Sequence, residues 1–220
     1  ARAFLITFDD GFANNATVAA PALASLGIPA VFYTTTWFLS EGAASWTDVL
    51  EYGVESSLRP SVNAPGIGSR SLRSPEARIA LLDELRGLLK NDPSLDPYEY
   101  GEEMLRRLGV GEFVPDPDLD LKLSWEQLRA LDADASFAVG GHSHTHRTLA
   151  FLEPEELAVD LDTSLGMLAA QLGHPIDHFS YPEGTPNAYS DAVIAALIDR
   201  GVTFALTTRP EPVHQADDPM

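Results

Sequence analysis

Short apolar runs that end in polar or glycine-rich turns recur along this chain, each followed by a stretch with helical spacing, and that alternation narrows the possible folds most. Ala3 to Phe8 is the first run, closed by Asp9, Asp10 and Gly11. Asn14 to Leu26 then sets Val18, Pro21, Ala22 and Leu26 at helical spacing and stops at Gly27, a helix C-cap. Ile28 to Thr35 reads as the next strand. Such an opening implies parallel strands joined by right-handed crossovers. The pattern resumes at Ser124, an N-cap for a helix over Trp125 to Leu131. It continues with a strand from Phe137 to Val139, a helix from Glu155 to Leu172 closed by Gly173, a strand from His178 to Tyr181, a helix from Ser190 to Arg200 and a strand from Thr203 to Thr207. The expected class is α/β, as a barrel or a doubly wound sheet, with no internal repeat.

From about Ser40 to Leu121 the alternation loosens, because Pro60, Pro65, Gly66, Gly68, Pro93, Pro97, Pro115 and Pro117 break it into short pieces. Helices are still expected at Pro75 to Lys90 and Glu99 to Leu108. The stretch, about 40–121, reads as a mostly helical excursion within a single domain spanning 1–220, followed by a tail at about 209–220. Its length suits one sizeable core.

With 33 acidic and 14 basic residues, the formal charge is −19. Such a surface repels phosphate backbones and anionic lipid, so nucleic acid is not an expected partner. There are no cysteines, which removes disulfides, thiolate metal sites and a cysteine nucleophile together. Any metal must therefore sit on histidines and carboxylates. No apolar run approaches the ~20 residues of a membrane span. No signal peptide is visible either, and the chain opens directly at a core strand, as if a targeting segment had been trimmed away.

Three strand ends carry the chemistry. Thr7-Phe8-Asp9-Asp10-Gly11 places two carboxylates at a glycine turn, where their mutual repulsion calls for a cation, a hydrogen-bond network or water. His142-Ser143-His144-Thr145-His146 holds three of the six histidines. If this segment is helical, His142 and His146 share a face; if it is extended, all three histidines do. Gly140-Gly141 before the cluster and a helix after it favour the first arrangement. The third stretch is Phe179-Ser180-Tyr181-Pro182-Glu183-Gly184, a strand running into a proline turn.

In this order, the three stretches resemble the polysaccharide deacetylases of the NodB-homology class, carbohydrate esterase family 4. TFDDG is similar to the first motif of that family, HSHTH to its H-[ST]-x-x-H motif, and SYPEG stands where the R-x-P segment belongs. The resemblance spans Ala3 to Thr208, interrupted by the excursion. It implies an irregular (β/α)7-type barrel, with Asp9 as catalytic base and Asp10, His142 and His146 as ligands of one divalent metal ion. Zinc is the ion implied first, with cobalt, nickel or manganese as alternatives. Ser143 would brace the histidine loop, and the backbone N–H of Glu183 would face the oxyanion. An acetylated carbohydrate is the implied substrate, and an extracytoplasmic location the implied setting.

The chain departs from the family pattern in three places. Ser180 replaces the arginine of the third motif, no fourth motif is recognisable, and Leu206-Thr207-Thr208 holds the fifth motif's place without its histidine. His214 is the nearest downstream candidate for general acid; His178 reads as core or as a neighbour of the site, and His174 as loop. Of the aromatic residues near the motifs, Tyr181 and Trp46 are the expected sugar platforms, with Pro182 beside them. Two rival readings use the same residues: a hydrolase of small non-peptide amides, and a carbohydrate-binding domain that keeps the metal but not the turnover.

Overall fold

A computed structural model of the chain describes residues 4–210 and 219–220, and divides into two compact units, residues 1–43 with 117–220 and residues 44–116. The first is built on five parallel strands: β1 (Ile6–Phe8), β2 (Ala30–Thr34), β5 (Phe137–Gly141), β6 (His178–Ser180) and β7 (Phe204–Leu206). They lie side by side in that order. Spatial order follows chain order, so the sheet is singly wound, as in a barrel, and not doubly wound. Helices α1 (Ala20–Leu26), α2 (Thr36–Glu41), α6 (Trp125–Asp132), α7 (Pro154–Leu172) and α8 (Asp191–Ile198) complete this unit. The NodB-like α/β fold holds, as a half-barrel whose edges among the described residues are β1 and β7.

Alternation along the strands explains the core. Phe32, Val139 and Phe179 pack with Leu128 of α6, Leu161 and Leu168 of α7 and Leu197 of α8. Each such side chain removed from water contributes about 1.5–3 kcal/mol. Tyr33, Gly140 and His178 point the other way, and a Cβ on Gly140 would lie 2.4 Å from the Tyr33 ring and 2.5 Å from His178 Nδ1, so glycine is required there. The helices stop where local chemistry says they should: Ser124 and Gln127 form a capping box at α6, and Gly27 and Gly173 close α1 and α7 in the left-handed region. The helix expected from Asn14 opens instead as a wide π-type turn over Asn15–Ala19 before α1 begins.

The second unit contains α3 (Trp46–Ser56), α4 (Pro75–Leu89) and α5 (Pro97–Leu108) with an antiparallel hairpin of β3 (Ser61–Ala64) and β4 (Gly68–Ser71). Trp46, Leu50, Val54, Leu81, Leu85, Met104 and Leu108 form its core. The two expected helices are present; the hairpin was not expected, because only Val62 and Ala64 of β3 are buried and the apolar pattern is too short to register. Among the described residues no helix is long and apolar enough to cross a membrane.

Candidate metal centre at the carboxyl edge of the sheet

Parallel strands deliver their C-terminal ends to one edge, and all three sequence motifs stand on it. Among the described residues, the non-glycine residues with positive φ are Asp10 (70°), Ser143 (63°), His146 (54°) and Glu183 (66°), and every one belongs to these strand-end turns. Such a conformation costs on the order of 1–2 kcal/mol per residue, and its confinement to one edge marks a place where geometry is held against local preference.

After β1 the chain turns at Asp10, with Gly11 N–H donating to Asp9 O at 2.9 Å. Gly11 has φ 87°, where an L side chain is strained, and a Cβ there would also press on the end of the Leu39 side chain at 2.9 Å. Leu123 N–H donates to Gly11 O and Ala13 N–H to Leu121 O, at 2.8 and 2.7 Å, which pins the turn from the far side. Asp10 Oδ1 thereby comes to 3.0 Å from His146 Nε2 and 3.4 Å from His142 Nε2. The three ligating atoms lie within 4.8 Å of one another.

The donor set fits a divalent cation. Two ligands at about 2.0–2.1 Å on a tetrahedral ion stand roughly 3.3 Å apart, close to the two separations Asp10 makes. His142 Nδ1–H donates to Ser180 O at 2.7 Å, which fixes the tautomer and leaves the Nε2 lone pair facing Asp10. Asp10 Oδ1 is buried with no hydrogen-bond partner, so it and the two ring nitrogens need protons or a cation among them. Without an ion, protons fill that role. Burial depresses His142, but the Asp10 and Asp9 carboxylates and the Ser180 carbonyl prevail and raise it to about 9. Burial raises Asp10, and the two imidazoles outweigh it, holding the carboxyl well below its usual range.

The segment from His142 to His146 is not helical, contrary to the sequence expectation. It is a turn with left-handed residues at both Ser143 and His146, and the two imidazoles converge because the chain curls, not because they share a helix face. Ser143 Oγ accepts from His146 N–H at 2.9 Å. Thr35 Oγ donates to His142 O at 2.9 Å, and Thr36 Oγ and His144 Nδ1 are hydrogen-bonded at 2.8 Å, which draws His144 away from Asp10. On the other flank, Asp160 of α7 accepts from the N–H groups of His144 and Thr145. Ser143 is the brace that the sequence resemblance implies for this loop, whereas Thr35, Thr36 and Asp160 were not legible beforehand; the signal available for the threonines was the run Thr34-Thr35-Thr36 at a strand end, a place where hydroxyls stabilise turns.

Asp9 is exposed, and Ser180 Oγ, in the place of the missing arginine, donates to its Oδ2 at 3.3 Å. At the third turn, Thr208 Oγ donates to Glu183 O at 3.1 Å, tying the turn to the end of β7. Two aromatic expectations are corrected. Tyr181 is 1% exposed and stacks on Tyr189 at 4.6 Å, and Trp46 is 3% exposed in the core of the 44–116 unit, so neither ring is open to a sugar. Pro182 is buried as well. His178 is half-buried, with its ring between those of Tyr33 and Phe204. His214 and most of the tail lie outside the described residues.

Residues 101–205 match the family model described as polysaccharide deacetylase. Three solved structures share the fold. The BpsB deacetylase domain from Bordetella bronchiseptica is 18% identical with a TM-score of 0.55, over 98% of this chain and 67% of that one. The deacetylase PplD from Streptococcus pyogenes, solved with acetate, is 14% identical with a TM-score of 0.53, over 92% and 54%. IcaB from Ammonifex degensii is 16% identical with a TM-score of 0.52, over 93% and 59%. The chain thus spans about half to two thirds of the length of the structures it matches. A comparison with curated proteins finds no match. The class defined by fold and motifs is the NodB-type α/β domain, and over residues 101–205 the chain is similar to the polysaccharide deacetylases.

Proposed function

We propose that this chain is a metal-dependent hydrolase that removes acetyl groups, N-acetyl foremost, from a polysaccharide or oligosaccharide. The observation that carries this reading is the convergence of Asp10, His142 and His146 beside the exposed Asp9 at the carboxyl edge of the sheet. The family match over 101–205 supports the same class. We read 1–220 as one catalytic domain, in which the chain leaves β2, forms the 44–116 unit and returns to pair β5 directly with β2. The extracytoplasmic setting rests on family resemblance alone.

Asp10, His142 and His146 would hold one divalent ion, zinc foremost, and that ion when bound supplies Lewis acidity that brings the pKa of water towards about 7 and polarises the acetyl carbonyl. Asp9 is the base. Ser180 engages its Oδ2, and the other oxygen accepts the proton of the water that attacks the acetyl carbon. The Glu183 backbone N–H donates to the developing oxyanion. Ser143 keeps the histidine turn curled, and His214 is the candidate proton donor to the leaving amine.

The test is acetate release from acetylated chito-oligosaccharides by the chain supplied with Zn²⁺ or Co²⁺, with small acetamides run in parallel. Asp9→Asn should lower the rate about 10²–10⁴-fold while the ion stays bound. Release from the acetamides alone favours the small-amide reading, and metal binding without any release favours a carbohydrate-binding domain.

A further inference from the structure

We propose that Asp160 is a positioning residue for the metal centre: by gripping the turn between the two histidine ligands, it sets the separation of their Nε2 atoms. This assignment rests on the metal-site reading above. Asp160 lies two turns into α7 on the flank that buries Leu157, Leu161, Leu165 and Leu168, and it is itself only 4% exposed. A carboxylate on a leucine-lined helix face carries a desolvation cost that an apolar side chain would avoid, so it persists only where it is fully hydrogen-bonded. Here three donors reach it. Oδ1 accepts from His144 N–H at 2.7 Å, and Oδ2 accepts from Thr145 N–H at 2.9 Å and from Thr145 Oγ at 2.6 Å.

These donors belong to His144 and Thr145, the two residues bracketed by left-handed Ser143 and His146. Within the turn, Ser143 Oγ accepting from His146 N–H is the one side-chain bond described that supports that conformation. The β2 side holds the turn through Thr35 Oγ on His142 O and Trp37 N–H on His144 O. Asp160 is the grip from the opposite side, and it is anchored in the core through α7. With both in place the curl is over-determined, and both imidazoles stay aimed at Asp10 before any ion arrives.

Asp160→Asn is isosteric. It keeps one acceptor for His144 N–H but turns an NH₂ donor towards the two donors of Thr145. The altered and unaltered chains are titrated with Co²⁺ and with Zn²⁺, with His146→Ala as the control lacking a ligand, and each metal-free protein is unfolded in urea. The expected result is a folded Asp160→Asn chain whose Kd for both ions is weakened about 10–100-fold and whose Co²⁺ absorption bands are shifted. Thr145→Val, which loses only the hydroxyl donor, should weaken binding less than about tenfold. Unaltered affinity in folded Asp160→Asn, with stability alone reduced, overturns the assignment and leaves the metal reading standing. Failure of the unaltered chain to bind either ion overturns both. If Asp160→Asn does not fold, Thr145→Val decides: weakened binding supports the assignment, and unchanged binding overturns it.

Discussion

Two pairs of histidines, each four residues apart, stand at opposite edges of the same sheet and behave in opposite ways. His142 and His146 follow β5 at the carboxyl edge, while His174 and His178 lead into β6 at the amino edge. Both pairs have carboxylates at hand, Asp9 and Asp10 for the first and Asp132 and Asp177 for the second. At the carboxyl edge both Nε2 atoms face a single oxygen of Asp10. At the amino edge, His174 pairs with Asp132 and with the Pro175 carbonyl, and His178 Nδ1 is buried with no hydrogen-bond partner. Spacing and nearby acid are common to both; the difference is a turn with two left-handed residues in one and a run through Pro175 into an extended strand in the other. What lets one pair of histidines converge on a carboxylate as a candidate metal site is the backbone that curls it.

The sharpest way to break this comparison is to remove one histidine from each pair and measure Co²⁺ or Zn²⁺ binding by calorimetry. His146→Ala should weaken binding at least about a thousandfold, since a ligand counts for more than the tenfold to hundredfold typical of a group behind it. His178→Leu should leave Kd within about threefold, because the residue packs between Tyr33 and Phe204 and is not one of the three converging ligand groups. Equal losses in the two variants would place the metal elsewhere.

A smaller effect separates the pairs by pH in the metal-free protein. His142 is raised to about 9, so its contribution to stability is complete below pH 6.5 and is lost as pH climbs from there through 9. His178 is lowered, because burial outweighs Asp177 and Asp132, so its contribution is present above pH 6.5 and is lost as pH falls below that value. The two slopes have opposite signs and adjoining windows. Urea unfolding across pH 5 to 9 should therefore show that His142→Gln removes a loss of stability on the alkaline side. His178→Leu should remove one on the acid side. Swapped windows would reverse the assignment of the two environments.

The residues of the carboxyl edge could be read from the sequence because they are written as contiguous motifs: the Asp-Asp-Gly turn, the histidine cluster and the proline turn each carry their own punctuation. Helix ends were legible for the same reason, since Ser124, Gly27 and Gly173 act within one turn of themselves. What stayed hidden depends on distant partners. The curl of the histidine segment is set by Thr36 and Asp160, 108 and 16 residues from the groups they hold, so the segment's own spacing suggested a helix. Strand order, which decides between a singly and a doubly wound sheet, is equally non-local. Tyr181 and Trp46 were misjudged because lying next to a motif or in a variable stretch says nothing about which way a ring faces.

The weakest member of the comparison gives the finest test. His174 Nε2 lies 3.0 Å from Asp132 Oδ2, and its side chain is 48% exposed, so water screens the pair and its worth is at most about 0.5 kcal/mol. The Pro175 carbonyl and Asp132 raise His174 from its ordinary value. The stabilisation is thus complete below pH 6.5 and disappears as pH rises through the raised pKa. Asp132→Asn should lower the urea midpoint slightly at pH 5.5, not at all at pH 9, and hardly at all at pH 5.5 in 1 M salt, where charges are screened within about 3 Å. A midpoint shift that persists at pH 9 would mean that Asp132 supports the amino edge by some route other than its ion pair, and that the two edges differ by less than their charges suggest.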